Sequence, residues 1–427
     1  MAETLTVDHI DFASLVKPGD RVLWGQASAE PLALTCKLLE QRHRIGHFSV
    51  FLGIPASDSV NVEQADCIDF SAYCGTGLNR KLVSEGILDV IPCHYSALPG
   101  MIAGGQLPVD VLLIQVSPPD ENGNCSLSTA VDYLLPALQT ARVVVAEIND
   151  QAPATCGGHN VHIDAIHFGV ETSRPVLEMP SPPPGDLEVA IARQVTQLID
   201  DGDTLQMGIG TLPEAIFSQL TEHRHLGIHS GTIGDKVAEL MRSGVITNEK
   251  KSLDTGYTVA TILMGTRNLY DFAHRNQQIQ LQPSNYTHKH EVLIQQDRFT
   301  SINAALEVDL TGQINAEEVS GHYLGAVGGA VDFIRGANGA RGGKAIVALP
   351  SMARGKSRIV SKLTAAVSTP RSDAGILVTE FGHADLRGLG LSQRIERMIA
   401  IAHPDVRPAL EREADQIAGT RHRNQHR

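Results

Sequence analysis

The sequence repeats itself on either side of a proline-rich segment, and this repeat constrains the fold more than any other feature. Residues 19–28 read GDRVLWGQAS, and residues 202–211 read GDTLQMGIGT. Each begins with Gly-Asp, continues as a short apolar strand pattern and leads into a helical pattern. The segment between them, MPSPPPGD at residues 179–186, is rich in proline, which removes backbone donors and interrupts regular structure. We therefore predict two related halves, residues 1–180 and 181–427.

Short apolar strand patterns alternate with helical patterns in both halves, as in VVVAE at 143–147 and KAIVAL at 344–349. This alternation predicts an α/β fold with largely parallel sheets. Aromatic residues make up only 4% of the chain, so Ala, Val, Ile and Leu must build the cores, which suits buried parallel strands. We expect ligands to bind where the halves face each other, outside the carboxyl ends of the strands.

Charge and composition exclude several classes of partner. The formal net charge of −13 argues against nucleic acid, which requires a basic surface. The six cysteines are widely spaced without a CxxC pair, so we predict reduced thiols and no metal site. No apolar run is long enough for a membrane span, and the N-terminus lacks a signal-peptide pattern. We therefore expect a cytoplasmic protein without a membrane partner.

The first glycine-rich candidate site is the segment Gly208, Ile209 and Gly210, which follows a strand pattern and opens a helical one. The glycines allow close approach of a ligand, and helix N–H groups favour an anionic or polar group. Pro213 stands where a dinucleotide-binding fingerprint requires Gly or Ala, so we do not expect NAD. The alternative is a tight turn that binds no ligand.

The second candidate is GHYLGAVGGAVDF at residues 321–333, which contains Gly325, Val327, Gly328 and Gly329. Adjacent glycines free backbone N–H groups to converge on one oxygen. Thioester chemistry needs such donors, because negative charge develops on the carbonyl oxygen. The alternative is a flexible surface loop.

Two charged positions complete the candidates. Glu380 follows the apolar run GILV at 375–378 after one residue, Thr379, at a strand end where α/β active sites form. As an isolated feature it is also typical of a cap or an ion-pair partner. Lys356 lies in a basic run with Arg354 and Arg358, which can hold phosphate groups. A solvated charged face explains that run equally well.

The order of several motifs resembles the acetyl-CoA hydrolase/transferase family and its 4-hydroxybutyrate CoA-transferase-like members. The resemblance covers nearly the whole chain. Its motifs are GQASAEP at 25–31, SPPDENG at 117–123, EVDLTGQ at 307–313, GAVGG at 325–329, ALPS at 348–351, VTEFG at 378–382 and IAHP at 401–404. The resemblance implies two CoA-transferase (NagB-like) domains, an active site between them and a homodimer.

The resemblance also implies a function and roles for the candidate residues. Coenzyme A would be a substrate, moved between a small acyl-CoA and a free carboxylic acid, with no permanently bound cofactor. The segment at 208–210 would line the pantetheine channel. Gly328 and Gly329 would lie beside the thioester, and Glu380 would lie near the reacting centre.

One departure from the family pattern concerns the nucleophile. Family members commonly read His-Thr-Glu-Met, and that glutamate attacks the thioester to form a glutamyl-CoA intermediate. Here residues 229–232 read HSGT, so Gly231 stands where the glutamate is expected. The nucleophile can come from the first half, with Glu63 as the first candidate. Alternatively, Glu380 takes the role or activates water in a hydrolase, or the protein binds CoA thioesters without turning them over.

Overall fold

A computed structural model describes residues 3–415, and its first half is built on an eight-stranded parallel sheet. The strands of this half are β1 (Glu3–Leu5), β2 (Arg21–Trp24), β3 (Phe48–Leu52), β4 (Ile68–Ala72), β5 (Leu88–Val90), β6 (Val111–Val116), β7 (Asn124–Ser126), β8 (Val143–Asn149), β9 (Asn160–His162) and β10 (Phe168–Thr172). The sheet order is β1-β10-β8-β6-β2-β3-β4-β5, and β7 and β9 form a separate antiparallel pair.

The second half contains a six-stranded sheet and several short strand pairs. Its strands are β11 (Thr204–Met207), β12 (Gly227–Ile228), β13 (Thr232–Ile233), β14 (Thr258–Ala260), β15 (Ile262–Leu263), β16 (Ile279–Leu281), β17 (Phe299–Ala304), β18 (Glu307–Asp309), β19 (Ile314–Asn315), β20 (Glu318–Val319), β21 (His322–Tyr323), β22 (Lys344–Ala348), β23 (Met352–Ala353), β24 (Lys356–Ser357), β25 (Ile359–Val360), β26 (Ile376–Thr379) and β27 (Gly382–Asp385). The sheet order is β12-β11-β17-β22-β26-β27, and β27 alone in this sheet pairs antiparallel.

Helices connect the strands of both sheets. They are α1 (Phe12–Leu15), α2 (Leu32–Ile45), α3 (Asn79–Ser84), α4 (Leu98–Ala103), α5 (Leu134–Thr140), α6 (Asp186–Thr196), α7 (Thr211–Ser218), α8 (Asp235–Arg242), α9 (Arg267–Ala273), α10 (Ser284–Thr287), α11 (His290–Leu293), α12 (Ala330–Gly339), α13 (Leu391–Ala400) and α14 (Arg407–Ala414). The longest, α2, ends at Gly46, whose φ of +91° suits glycine. Within residues 3–415, no helix combines the length and apolar character that a membrane span requires.

The internal repeat is visible in the order of the strands. In the first half, five neighbouring strands run β10-β8-β6-β2-β3, and in the second half β26-β22-β17-β11-β12 follow the same order along the chain and across the sheet. All ten are parallel to their neighbours within these sets. The predicted fold class, two related α/β halves with largely parallel sheets, is confirmed.

The hydrophobic core does not stop at the boundary between the halves. One cluster of buried residues extends from Leu23 in the first half to Val378 in the second. Two further clusters each belong to a single half. Shared burial of apolar surface therefore holds the two halves together. The division into residues 1–180 and 181–427 stays a prediction.

Candidate active site

A cavity of about 220 Å³ lies between the two halves. Tyr73 directly follows β4, and Asn303 lies near the carboxyl end of β17, so the cavity opens at strand ends of both sheets. The lining residues are Ile54, Tyr73, Cys74, Thr76 and Tyr95 from the first half, and Gln206, Gly231, Thr232, Thr261, Ile262, His288, Asn303, Ala326, Gly328, Gly329, Ala330 and Phe333 from the second. The repeat predicts a ligand site at this place.

A buried hydrogen-bond network fixes the wall that the first half contributes. The amide nitrogen of Gln26 donates to the Tyr95 hydroxyl at 2.7 Å and to the Asp132 carboxylate at 2.9 Å. Its carbonyl oxygen accepts from the Tyr73 hydroxyl and from the backbone N–H of Ile54, both at 2.9 Å. Because every polar atom of Gln26 has a partner, the two tyrosine rings are held in place.

Burial governs the charge state of this wall. It raises the pKa of the Asp132 carboxyl to about 6, although hydrogen bonds from Gln26 and two backbone N–H groups oppose the rise. Burial also raises the pKa of Tyr73 and of Tyr95 well above the usual range. Both phenols therefore stay neutral, and this wall offers shape rather than a charged reactant.

The wall from the second half is a glycine loop fastened to the first half. The loop at residues 325–329 leads directly into α12. The Gly75 N–H donates to the Gly325 carbonyl at 2.8 Å, and the Tyr95 N–H donates to the Gly328 carbonyl at 3.0 Å. Gly328 has a φ of +53°, which favours glycine. Backbone contacts between the halves therefore position this loop.

His288 fills the space between two glycines of this wall. Its ring lies between the rings of Tyr95, at a centroid distance of 4.9 Å, and Phe333, at 4.4 Å. A Cβ added at Gly231 would lie 3.0 Å from His288 Nε2, and one added at Gly329 would lie 2.6 Å from it. The imidazole therefore occupies the space into which side chains at both positions would project.

The remaining polar groups of the cavity are neutral. The Asn303 amide donates to the Gln206 carbonyl oxygen at 3.1 Å, so the two side chains form an amide pair at the cavity. Burial lowers the pKa of His288 to about 3, which leaves its imidazole uncharged near neutral pH. None of the described residues that line the cavity is Asp, Glu, Lys or Arg. The cavity therefore has no fixed charge.

The two predicted glycine-rich sites differ in their position relative to the cavity. Gly328 and Gly329 line the cavity, whereas Gly325 and Val327 belong to the same loop without lining it. The segment at 208–210 follows β11, whose Gln206 lines the cavity, and a Cβ at either of its glycines would meet nothing within 4 Å. This segment is open to a ligand, and its role stays a prediction.

Glu380 lies at the predicted strand end but does not line the cavity. Its carboxylate accepts hydrogen bonds from the Ser351 N–H at 2.9 Å and from the Ser351 hydroxyl at 2.6 Å. Ser351 immediately precedes the hairpin of β23 and β24, in which Lys356 is exposed. Glu380 thus fixes the base of that hairpin, and a part in the chemistry stays a prediction.

Glu63, the first candidate for a nucleophile from the first half, does not line the cavity. Glu63 is exposed in the 3-10 helix Val62–Asp66, which precedes the first residue of β4. A connection between two parallel strands must return to their amino ends, and Glu63 lies on that return. Tyr73, at the other end of β4, lines the cavity instead.

Sequence reasoning missed Tyr73, Tyr95 and His288. Tyr95 begins the 3-10 helix Tyr95–Ala97, and His288 follows the short helix α10. Neither segment carries a motif. Tyr73 offered a usable signal, because it directly follows the apolar strand pattern IDFSA at 68–72.

One trio of potential metal ligands occurs among residues 3–415, and none of its members lines the cavity. It consists of His43, Asp66 and Cys67 at the surface. Arg42 donates to both oxygens of Asp66, at 2.9 and 3.1 Å, and holds the pKa of that carboxyl below its usual range. The arginine already supplies the positive charge that a metal ion would bring to this carboxylate.

Comparisons with known proteins agree with this architecture. The acetyl-CoA hydrolase/transferase N-terminal domain matches residues 6–176, and the C-terminal domain of the same family matches residues 265–414. The 4-hydroxybutyrate coenzyme A transferase of Clostridium kluyveri is 40% identical over 403 residues, covering 93% of this chain and 94% of that protein. The succinyl-CoA:cyclohexane-1-carboxylate CoA transferase of Geobacter metallireducens is 34% identical over 406 residues, covering 94% and 93%.

A solved structure shows the same similarity in three dimensions. RipA from Yersinia pestis superimposes with a TM-score of 0.91 at 32% identity, covering 97% of both chains. Both family domains match in the expected order, and the relatives align along nearly the whole chain. The resemblance predicted from the ordered motifs is confirmed, and the chain belongs to the acetyl-CoA hydrolase/transferase family.

Proposed function

We propose that this protein is a CoA-transferase that moves coenzyme A from a small acyl-CoA to a free carboxylic acid. One observation carries the proposal: an uncharged cavity between the halves places paired glycines and the start of α12 beside an imidazole. Relatives named as CoA-transferases align with more than nine-tenths of the chain, which supports the same reaction class.

The cavity suits exchange of one thioester for another. The first N–H groups of α12 have no partner within the helix, so they can stabilise negative charge on a thioester oxygen near Gly329. Apolar and aromatic side chains such as Ile54, Ile262 and Phe333 limit access of water. Exclusion of water favours transfer over hydrolysis.

The absence of charge in the cavity also limits which acyl groups it can hold. A second carboxylate on the acyl chain would need a positive partner, because burying an unpaired charge is very unfavourable. No described lining residue is Lys or Arg, and the pKa of His288 lies at about 3. We assign a short, uncharged acyl chain to this cavity.

The rest of the coenzyme A molecule would lie on the second half. Gly208 is exposed, and Gly210 has a φ of +120° at the start of α7, next to the strand that carries Gln206 into the cavity. Lys356 is exposed in its hairpin and can bind a phosphate group. These features support the predicted path for pantetheine and nucleotide.

An exchange assay tests the function. The protein is mixed with acetyl-, butyryl- or succinyl-CoA, with and without acetate or succinate, and new thioesters and free thiol are measured. We expect butyryl-CoA and acetate to yield acetyl-CoA, with thiol release far slower when no acceptor is present. Thiol release without an acceptor at a rate equal to that of transfer would instead identify a hydrolase. Binding of coenzyme A with neither reaction would exclude an enzyme for these substrates.

We also propose a homodimer, on the family resemblance alone, and a cytoplasmic location, on the sequence patterns described above. Light scattering of the purified protein measures the mass of the assembly, and cell fractionation measures the location. A monomeric mass or a membrane-bound pool would contradict this part of the proposal without affecting the reaction.

A further inference from the structure

Few side chains in the cavity can attack a thioester carbon. Burial keeps the phenols of Tyr73 and Tyr95 protonated, and both bond to Gln26. Burial also raises the pKa of the Cys74 thiol, and that sulfur accepts from the Thr76 hydroxyl at 3.3 Å. A protonated thiol is a poor nucleophile. No described lining residue offers a carboxylate.

His288 differs from these groups because one of its ring nitrogens is available. Nδ1 lies 2.8 Å from the Thr287 hydroxyl, which lies 3.5 Å from the Pro283 carbonyl. Both contacts are satisfied when Thr287 donates to Pro283 and Nδ1–H donates to Thr287. The lone pair then lies on Nε2, because Nδ1 makes the one ring-nitrogen hydrogen bond that His288 has among the described residues.

The position of Nε2 is set by both halves. Tyr95 from the first half and Phe333 from the second pack against the ring. Nε2 lies 2.6 Å from the place of an absent Cβ at Gly329, the residue that caps α12. It is therefore beside the N–H groups that can receive a developing oxyanion. The low pKa of the imidazole keeps its lone pair free of a proton near neutral pH.

We propose that Nε2 of His288 is the nucleophile of the transfer and that the protein carries the acyl group rather than coenzyme A. This inference rests on the proposed CoA-transferase function. Gly231 supports it, because a side chain there would compete with the imidazole for the same space. The histidine thus takes the place of the glutamate that the family pattern leads us to expect at Gly231.

The proposed reaction balances without a metal or a redox partner. The Nε2 lone pair attacks the acyl carbon, the carbon–sulfur bond breaks, and coenzyme A leaves as a thiolate beside an acyl-imidazolium. The acceptor carboxylate then attacks the acyl carbon, the carbon–nitrogen bond breaks, and a mixed anhydride and neutral His288 result. The thiolate attacks the acceptor's carbonyl in the anhydride, which forms the new thioester and releases the donor acid as a carboxylate.

Mass spectrometry of the full-length protein tests which group becomes attached. The protein is mixed with butyryl-CoA alone, quenched in acid within the first turnovers, digested and mapped. We expect one butyryl group on the peptide that contains His288, together with free coenzyme A and conversion to a hydroxamate by hydroxylamine. Coenzyme A attached to a glutamate, or a butyryl group on Cys74, would overturn the inference.

Replacement of His288 provides a second readout. H288F keeps an aromatic ring between Tyr95 and Phe333 but removes both nitrogens. We expect kcat to fall by at least about 1,000-fold while coenzyme A binding persists. The matched control is H47F, because His47 is an exposed residue whose ring nitrogen contacts Asp69, and it should transfer at the wild-type rate. Transfer by H288F within about tenfold of wild type would overturn the inference.

A rescue variant follows from the shared space at Gly231 and Gly329. In G231E/H288A the ring is gone, so an introduced carboxylate can occupy its place. We expect transfer at least about tenfold above that of H288A, with coenzyme A now attached to the introduced carboxylate.

The outcomes separate this inference from the proposed function. If wild-type protein exchanges no thioester with any acid, the proposed function fails. If wild-type protein transfers coenzyme A and H288F does so equally well, only the role of His288 fails. Should H288F not fold, adduct mapping on the wild-type protein decides the question.

Discussion

The two walls of the cavity are built in different ways, although the halves that supply them share one strand order. The wall from the first half consists of aromatic rings held by the buried network around Gln26 and Asp132. The wall from the second half consists of backbone at Gly231 and Gly329, with one imidazole between them. In the first wall every polar atom of the Gln26 side chain is hydrogen-bonded. The second wall presents the first N–H groups of α12, which have no partner within the helix.

This difference indicates that the two halves contribute different properties to the site, although they share one strand order. A saturated network contributes stability and a fixed surface. Unpaired donors and a free ring nitrogen contribute chemistry, because they can interact with charge that develops only during the reaction. We therefore expect substitutions in the first wall to lower the free energy of unfolding and substitutions in the second to lower turnover.

Among substitutions that keep His288, the largest effect on turnover is expected for G329A. The added Cβ would lie 2.6 Å from His288 Nε2, so the ring must move. We expect kcat to fall on the order of 100-fold, since small misplacement of reacting groups has effects of this size, with the thermal midpoint little changed. G100A is the matched control, because its Cβ meets nothing within 4 Å. Wild-type turnover by G329A would show that the ring position is unimportant.

A smaller effect, on stability, is expected for Q26A. The change removes partners of the buried Asp132 carboxylate and the Ile54 N–H. We expect the free energy of unfolding to fall by about 2 kcal/mol, the usual cost of unsatisfied buried groups, with kcat reduced less than in G329A. Urea denaturation measures the free energy of unfolding, and Q277A, at an exposed position, is the control. A loss of turnover without a loss of stability would contradict the division between the walls.

The pH dependence of stability provides a test in the second half, where the side chain of Lys251 is buried. Burial lowers its pKa from 10.5 to about 7, although its ammonium donates to the Ile228 and Tyr257 carbonyls. Between these values the unfolded chain binds a proton that the folded protein does not, so stability rises with pH. We expect the titration of this lysine to raise the free energy of unfolding by about 1.4 kcal/mol per pH unit above pH 7. In K251M, urea unfolding at pH 7, 8 and 9 should lack that slope.

The smallest effect is expected for Y73F. It removes one hydroxyl, which donates to Gln26 at 2.9 Å, and leaves the ring in the wall. We expect a loss of about 1 kcal/mol in the free energy of unfolding and a kcat close to that of the wild-type protein. A large fall in kcat would assign the phenol a direct part in the reaction and would place chemistry in both walls.

The sequence predicted the fold and family well because their signals are local or ordered along the chain. Apolar strand patterns alternate with helices, and the repeated Gly-Asp segments mark equivalent strands, β2 and β11. The glycine loop at 325–329 was also found from a local signal, because its adjacent glycines, Gly328 and Gly329, which line the cavity, are visible in the sequence.

The candidate side chains were harder to predict because their environment is assembled from distant segments. His288 gains its position from Tyr95 and Phe333, which lie far away in the sequence. Glu63 lies outside the cavity lining, which the sequence could not show, because a sequence does not reveal how a residue on a connection between strands is placed relative to a cavity. Glu380 lies at a strand end as predicted, but its contacts to Ser351 depend on tertiary structure.

The two backbone hydrogen bonds from Gly75 and Tyr95 to the glycine loop have a consequence for when the protein can react. A hinge motion that parts the halves would break both bonds and remove Tyr95 from one face of the imidazole. In the proposed reaction, the orientation of the His288 nitrogen therefore depends on the contact between the two halves.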